Sequence, residues 1–124
     1  MENALLVMAG GSLGALSRYL ISLLAVSLFG TGFPWGTLIV NHLGCLLIGF
    51  LLTLAERNLL IGPSLRLFMV TGYLGALTTF STYAWESVSA AGNGDWRLAG
   101  TNLVVNNLVG FLLVLLGISL AKRL

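Results

Sequence analysis

Gly72-Tyr-Leu-Gly-Ala-Leu-Thr-Thr-Phe-Ser-Thr-Tyr83 carries two glycines, four Ser or Thr hydroxyls and three aromatics inside an otherwise apolar segment. Bilayer hydrocarbon holds no water to satisfy loosened backbone groups. Glycines followed by Thr-Thr and Ser-Thr therefore predict a helix that breaks near Gly75, within protein or beside a cavity. A small polar ligand would be handled at such a break.

The rest of the chain supplies the container. Of 124 residues, 57% are hydrophobic and only 8% charged, against about 25% charged in soluble domains. Four apolar stretches, Ala4 to Phe29, Gly36 to Ala55, Leu65 to Ala91 and Leu98 to Ala121, are each long enough to cross a membrane, which takes about 20 helical residues. The expectation is one all-α domain of four transmembrane helices covering residues 1–124, with a break in the third. The first stretch reads as a permanent span, since its flank holds Glu2 without Lys or Arg and its body contains Arg18. A net charge of +2 with no basic patch argues against a nucleic-acid partner. The single cysteine, Cys45, has no intrachain partner and reads as a small apolar packing residue.

With four spans both termini share a side with Arg57, Arg66, Lys122 and Arg123, while the opposite side has only Arg97. The positive-inside rule then favours cytoplasmic termini.

Polar residues mark helix faces. Gly11, Gly14, Ala15 and Arg18 fall at helical spacing in the first span, so the charge faces protein. Arg18 either raises the positive potential at the mouth of an anion path or is a structural cation tied to backbone carbonyls. Phe33-Pro-Trp35 makes the first turn, and Thr37, Asn41, Gly44 and Ile48 then share a face. His42 points elsewhere and has no spaced metal partners. The loop around Glu56-Arg57-Asn58 leads through Gly62-Pro63-Ser64 into the third span, and Asp95 is placed to cap the fourth. In that helix Asn102, Asn106, Gly110 and Gly117 form a stripe of amides and small residues beside the adjacent amide of Asn107.

Phe80 and Tyr83, three apart, are neighbours on a helix face, and the positive edges of their rings can meet an anion without holding it tightly. Core packing is the alternative use of such a pair. Glu86, the only acid of the third span, either guards a vestibule or marks the helix end. Leu13-Gly-Ala-Leu16 recurs as Leu74-Gly-Ala-Leu77, and Leu38-Ile-Val-Asn-His-Leu43 as Leu103-Val-Val-Asn-Asn-Leu108, which suggests a duplicated two-helix hairpin. Such a repeat is parallel, so inverted symmetry would have to come from a second subunit.

Three of these motifs, Gly10-Gly-Ser-Leu-Gly-Ala-Leu-Ser-Arg-Tyr19, Gly36-Thr-Leu-Ile-Val-Asn-His-Leu-Gly44 and Thr71 through Tyr83, resemble the ordered signatures of the Fluc (CrcB-type) fluoride channels. The resemblance implies passive, selective export of fluoride across the cell (inner) membrane for fluoride resistance. It further implies an antiparallel, dual-topology dimer in membrane lipid, with a structural sodium ion at its centre. The partner would be a second copy of the chain or an oppositely oriented homologue. By position, Asn41, Phe80, Tyr83, Asn106 and Gly110 would line the fluoride pore. Arg18, Thr37, Ser81, Thr82 and Glu86 would surround the vestibule, and Gly75 and Thr78 would offer backbone carbonyls to sodium. Two positions depart from the pattern. Tyr83 stands where phenylalanine is usual, adding a hydroxyl able to meet fluoride, and Ala76 stands where a second glycine is common.

A proton-coupled exporter of the small multidrug resistance type shares the four spans and length, but needs an acid in a first span that here carries Arg18. A helix-packing protein without transport leaves the buried amides unexplained. An enzyme is the least favoured reading, since no nucleophile and base pair or metal cluster can be assembled.

Overall fold

The computed structural model describes residues 1–57 and 61–124. Asn58, assigned above to the loop after the second span, lies outside the described residues. The elements are α1 (Glu2–Phe29), α2 (Trp35–Glu56), α3 (Pro63–Arg66), a π-helical stretch (Leu67–Leu74), α4 (Gly75–Leu77), α5 (Phe80–Gly92) and α6 (Trp96–Ala121). Helices α1, α2 and α6 are each long and apolar enough to cross a membrane. The remaining crossing, from α3 to α5, is divided. Helix suits every one of these segments because it satisfies backbone groups within itself.

Like packs on like between the two hairpins. The main contacts set α2 against α6 and α1 against the π-helical stretch, pairing the elements that the internal echo relates. Glycine permits both approaches. A Cβ added to Gly10 would collide with the Phe68 carbonyl, and one on Gly14 with the Tyr73 carbonyl. Gly49 faces the Val114 backbone and Gly117 the Leu46 carbonyl in the same way. The contact face of α1 is thus set by Gly10 and Gly14, both buried. Ala15, expected on that face, is exposed. Val40, Leu74 and Leu77 form the buried apolar centre, while Leu13, Leu16, Leu20 and Leu23 point outward, as lipid-facing residues do.

Local signals set the ends. Asp95 caps α6 by accepting from the Leu98 N–H at 2.9 Å. At the first turn Trp35 packs against Phe29 and Phe33, with ring centroids 5.4 and 5.0 Å away. Arg57 donates to the Ala121 carbonyl at 3.0 Å, which brings the loop after α2 and the C-terminal tail to one end of the bundle. This contact also sets a cation at a helix C-terminus, where the macrodipole favours it.

The break in the third crossing falls later than expected. Gly75 is helical, with φ −60° and ψ −33°, whereas Thr78 (φ −83°, ψ 155°) and Thr79 (φ −151°, ψ 109°) are extended. The glycine does not open the helix. Polar partners from other helices do so at the two threonines.

Candidate functional site

Asn41 on α2 holds the break. Its Oδ1 accepts from the Thr79 N–H at 2.8 Å and its Nδ2 donates to the Thr79 carbonyl at 3.2 Å. One amide thereby replaces both helical partners of a single residue, which is what a broken helix at bilayer depth requires. The consequence for Gly75 is direct. In an unbroken helix its carbonyl would accept from the Thr79 N–H, and Asn41 has taken that donor. Thr79 also caps α5, its Oγ1 accepting from the Thr82 N–H at 3.2 Å. The Thr82 N–H is in turn the donor that the Thr78 carbonyl would use in a continuous helix. That carbonyl instead meets Nη1 of half-buried Arg18 at 3.4 Å.

Two cavities flank the break. The first, about 360 Å³, is lined by Asn41, Thr78, Phe80, Tyr83, Asn106 and Asn107 among others. The second, about 370 Å³, is lined by Arg18, Thr37, Thr79 and Thr82 together with Ala15, Tyr19, Ser22 and Val40. A third, about 590 Å³, contains Thr37, Thr82 and Glu86. The Phe80 and Tyr83 rings and the amides of Asn41, Asn106 and Asn107 therefore line the first cavity, and the Thr37, Thr79 and Thr82 hydroxyls with the Arg18 guanidinium line the second. Thr37 Oγ1 donates to Glu86 Oε1 at 2.7 Å, while Glu86 Oε2 is buried without a partner among the described residues.

Most of the residues expected to line a pore come together. Asn41, Phe80, Tyr83 and Asn106 share the first cavity. Phe80 and Tyr83 meet edge to face, with centroids 5.5 Å apart and ring planes at 64°. Phe80 is 78% exposed and Tyr83 only 6%, so the pair spans from the chain's surface to its interior. Gly110 is not on this wall; it is buried, and an added Cβ would touch Cys45 Sγ at 3.4 Å. Ser81 lies within 3.3 Å of Thr79 Oγ1 at the start of α5, on an exposed surface. Arg18, Thr37, Thr82 and Glu86 border the second and third cavities.

Some contacts were not legible beforehand. Asn106 uses its amide nitrogen on the Asn102 carbonyl at 3.1 Å and on Asn102 Oδ1 at 2.7 Å, leaving its own Oδ1 buried and unpartnered among the described residues. Asn102, fully buried, donates to Ser87 Oγ at 3.0 Å, and Ser87 donates to the Tyr83 carbonyl at 2.9 Å. This relay ties α6 to α5. Asn107 donates to the Tyr83 hydroxyl at 2.8 Å. Its only sequence signal was a second amide next to Asn106. The His42 ring meets the Val105 carbonyl at 3.3 Å through Nε2, linking α2 to α6 and carrying the hydrogen on that nitrogen.

A family model described as "CrcB-like protein, Camphor Resistance (CrcB)" matches residues 5–118. Proteins named "Fluoride-specific ion channel FluC" are similar over nearly the full length. One from Clostridium perfringens is 46% identical over 121 residues, covering 98% of this chain and 94% of the relative. One from Dehalococcoides mccartyi is 44% identical over 124 residues, covering 100% and 95%. One from Chloroflexus aurantiacus is 45% identical over 122 residues, covering 98% and 97%.

Proposed function

The chain belongs to the CrcB-like protein family, and we propose that it is a fluoride-specific ion channel whose path runs past the broken third crossing. It is a multi-pass membrane protein that moves fluoride passively. The observation that carries this reading is the full-length likeness to relatives bearing that name, joined to a cavity with amide and aromatic walls beside the break. The proton-coupled exporter is not favoured, because the first span offers Arg18 and the relatives are channels by name.

In this reading Asn41, Phe80 and Tyr83 face the ion in the first cavity. Asn106 acts through its unpartnered Oδ1, which accepts from a water that then hydrates fluoride, and Gly110 keeps α6 close behind them. Arg18, Thr37, Ser81, Thr82 and Glu86 surround the approach. Aromatic edges and amide hydrogens give an anion moderate attraction without a fixed full charge, which lets it leave as well as bind.

The exposed face supports assembly with a second chain. Gly75, Phe80 and the amide of Asn107 lie at the surface of one chain. A lipid-facing amide is costly, which supports cover by a second chain. An antiparallel dimer would bring two breaks together about a two-fold axis in the membrane plane, with a second copy or an oppositely oriented homologue as partner. The Gly75 and Thr78 carbonyls suit a sodium ion there. Asn41 diverts the helical donor of the first, Thr79 Oγ1 diverts that of the second, and an all-oxygen donor set matches a hard cation. The fit is better at Gly75, because Thr78 also accepts from Arg18. When bound, the ion would hold the two breaks in register.

Purified protein in liposomes with a fluoride electrode tests the function. Fast fluoride efflux under charge compensation with negligible chloride efflux is expected, and efflux that is slow and tied to a proton gradient would replace the channel with a coupled transporter. Labelling of terminal cysteines from each side of the membrane tests the assembly, since one-sided labelling excludes dual insertion.

A further inference from the structure

Asn107 donates through the same nitrogen to two acceptors, the Leu103 carbonyl at 2.7 Å and the Tyr83 hydroxyl at 2.8 Å. A carbonyl oxygen only accepts, so the first contact fixes which end of the amide faces Tyr83. Both hydrogens of Asn107 Nδ2 are then assigned, and Tyr83 Oη is an acceptor toward Asn107. The phenol has a single hydrogen. It is therefore free for another partner, and none lies within hydrogen-bond distance among the described residues.

Tyr83 borders two cavities, the first, shared with Asn41 and Asn106, and one of about 490 Å³ shared with Val88, Trp96 and Leu103; the Asn41 and Asn106 amides lie on the first. Asn41 is fixed in the same way: Thr79 engages its Oδ1 and one N–H, leaving a second N–H without a partner among the described residues. Asn106 has the opposite deficit, a buried Oδ1 lacking a donor. The cavity thus combines two unused donors with one unused acceptor. A bare anion matches the donors, and a water donating to Asn106 can turn its second hydrogen toward the same anion.

We propose that Tyr83 is a hydrogen-bond donor to fluoride in this chain and that Asn107 is the positioning residue that makes it one. The inference rests on the channel reading above and adds the residue pair that sets fluoride affinity. Asn107 holds the phenol oxygen in place and, by supplying its own hydrogens, prevents the hydroxyl hydrogen from turning toward α6. A phenylalanine at this position would present only a ring edge. Tyr83 combines that edge with a directed O–H, so fluoride is held more tightly.

The test is fluoride conductance in reconstituted bilayers as a function of fluoride concentration, with thermal melting of each purified variant alongside. Tyr83→Phe deletes one oxygen and keeps the ring. The fluoride concentration for half-maximal conductance is expected to rise about tenfold in that variant, as for a lost hydrogen bond to a charged group. Asn107→Ala frees the phenol to rotate and is expected to give about a threefold rise, the lower end of the range for one hydrogen bond. In the double variant the value should equal that of Tyr83→Phe alone, because Asn107 acts only through the hydroxyl. If the unsubstituted protein conducts fluoride and Tyr83→Phe leaves half-saturation unchanged, the donor role is overturned while the channel reading stands. An Asn107→Ala effect that persists in full on the Tyr83→Phe background overturns the positioning role. If the unsubstituted protein passes no fluoride at all, the channel reading falls and this inference with it.

Discussion

The two halves of the third crossing are held by different chemistry. The first, Pro63 through Leu77, is seated on α1 through glycine, with Gly10 and Gly14 against the carbonyls of Phe68 and Tyr73. Its side-chain bond to α1 is Tyr73 to Ser17, at 3.2 Å. The second half, α5, is held by polar side chains: Thr37 to Glu86, Asn102 to Ser87 and Asn107 to Tyr83. Backbone-on-backbone packing has no rotamer to change, and where this half is seated on α1 it presents no spare side-chain donor or acceptor. Hydrogen-bonded side chains can present spare donors and acceptors. The first half is therefore an anchor, and the second is the working surface.

The largest effect expected from this contrast is at the anchor. Gly14→Val drives a branched side chain into the Tyr73 backbone and should cost about 3 kcal/mol or more, the upper end for overpacking. The readout is loss of the monodisperse peak in detergent, and a protein that assembles normally would remove the claim that glycine seats this half. Asn41→Ala strikes where the halves meet. It strips both backbone partners from Thr79 and should destabilise by about 2–3 kcal/mol, with fluoride efflux falling roughly a hundredfold if that loss falls on the conducting state. Melting and liposome efflux measured together test this, since efflux at the normal rate would mean the break does not need its clamp.

Smaller losses belong to the working surface. Thr37→Val removes a hydrogen bond to a carboxylate and should cost about 1.5 kcal/mol, with efflux reduced severalfold because Glu86 loses its orientation. Ser87→Ala interrupts the relay between α6 and α5 and should cost about 1 kcal/mol. Its efflux should stay within about threefold of normal, since one such bond is a modest fraction of the packing. An efflux loss from Ser87→Ala larger than that from Thr37→Val would reverse the ranking of the two contacts.

The sequence carried the four crossings because apolar length is a local property, and it carried the Asp95 cap because capping needs only neighbours in the chain. Placing the break at Gly75 followed the same local logic and missed by three residues. The opening at Thr78 and Thr79 is made by Asn41, which lies 38 residues before Thr79, and only the folded chain brings them together. The aromatic pair and the Asn102–Asn106 stripe were visible from helical spacing. The task of Asn107 was not, since it depends on a phenol 24 positions away. The choice of Gly10 with Gly14 over Ala15 on α1 likewise depends on which carbonyls the partner presents.

The π-helical stretch Leu67–Leu74 lies just ahead of this broken segment. A π turn closes its hydrogen bond one residue later than an α turn, so this stretch stores surplus chain within a fixed rise. Removing one residue there would tighten the turn to α geometry and draw Phe68 and Tyr73 out of the spacing at which their carbonyls meet Gly10 and Gly14. An insertion inside α2 or α6 would likewise rotate every later side chain by about 100°. The surplus residue of the π turns thus sets the register in which the broken crossing sits on α1.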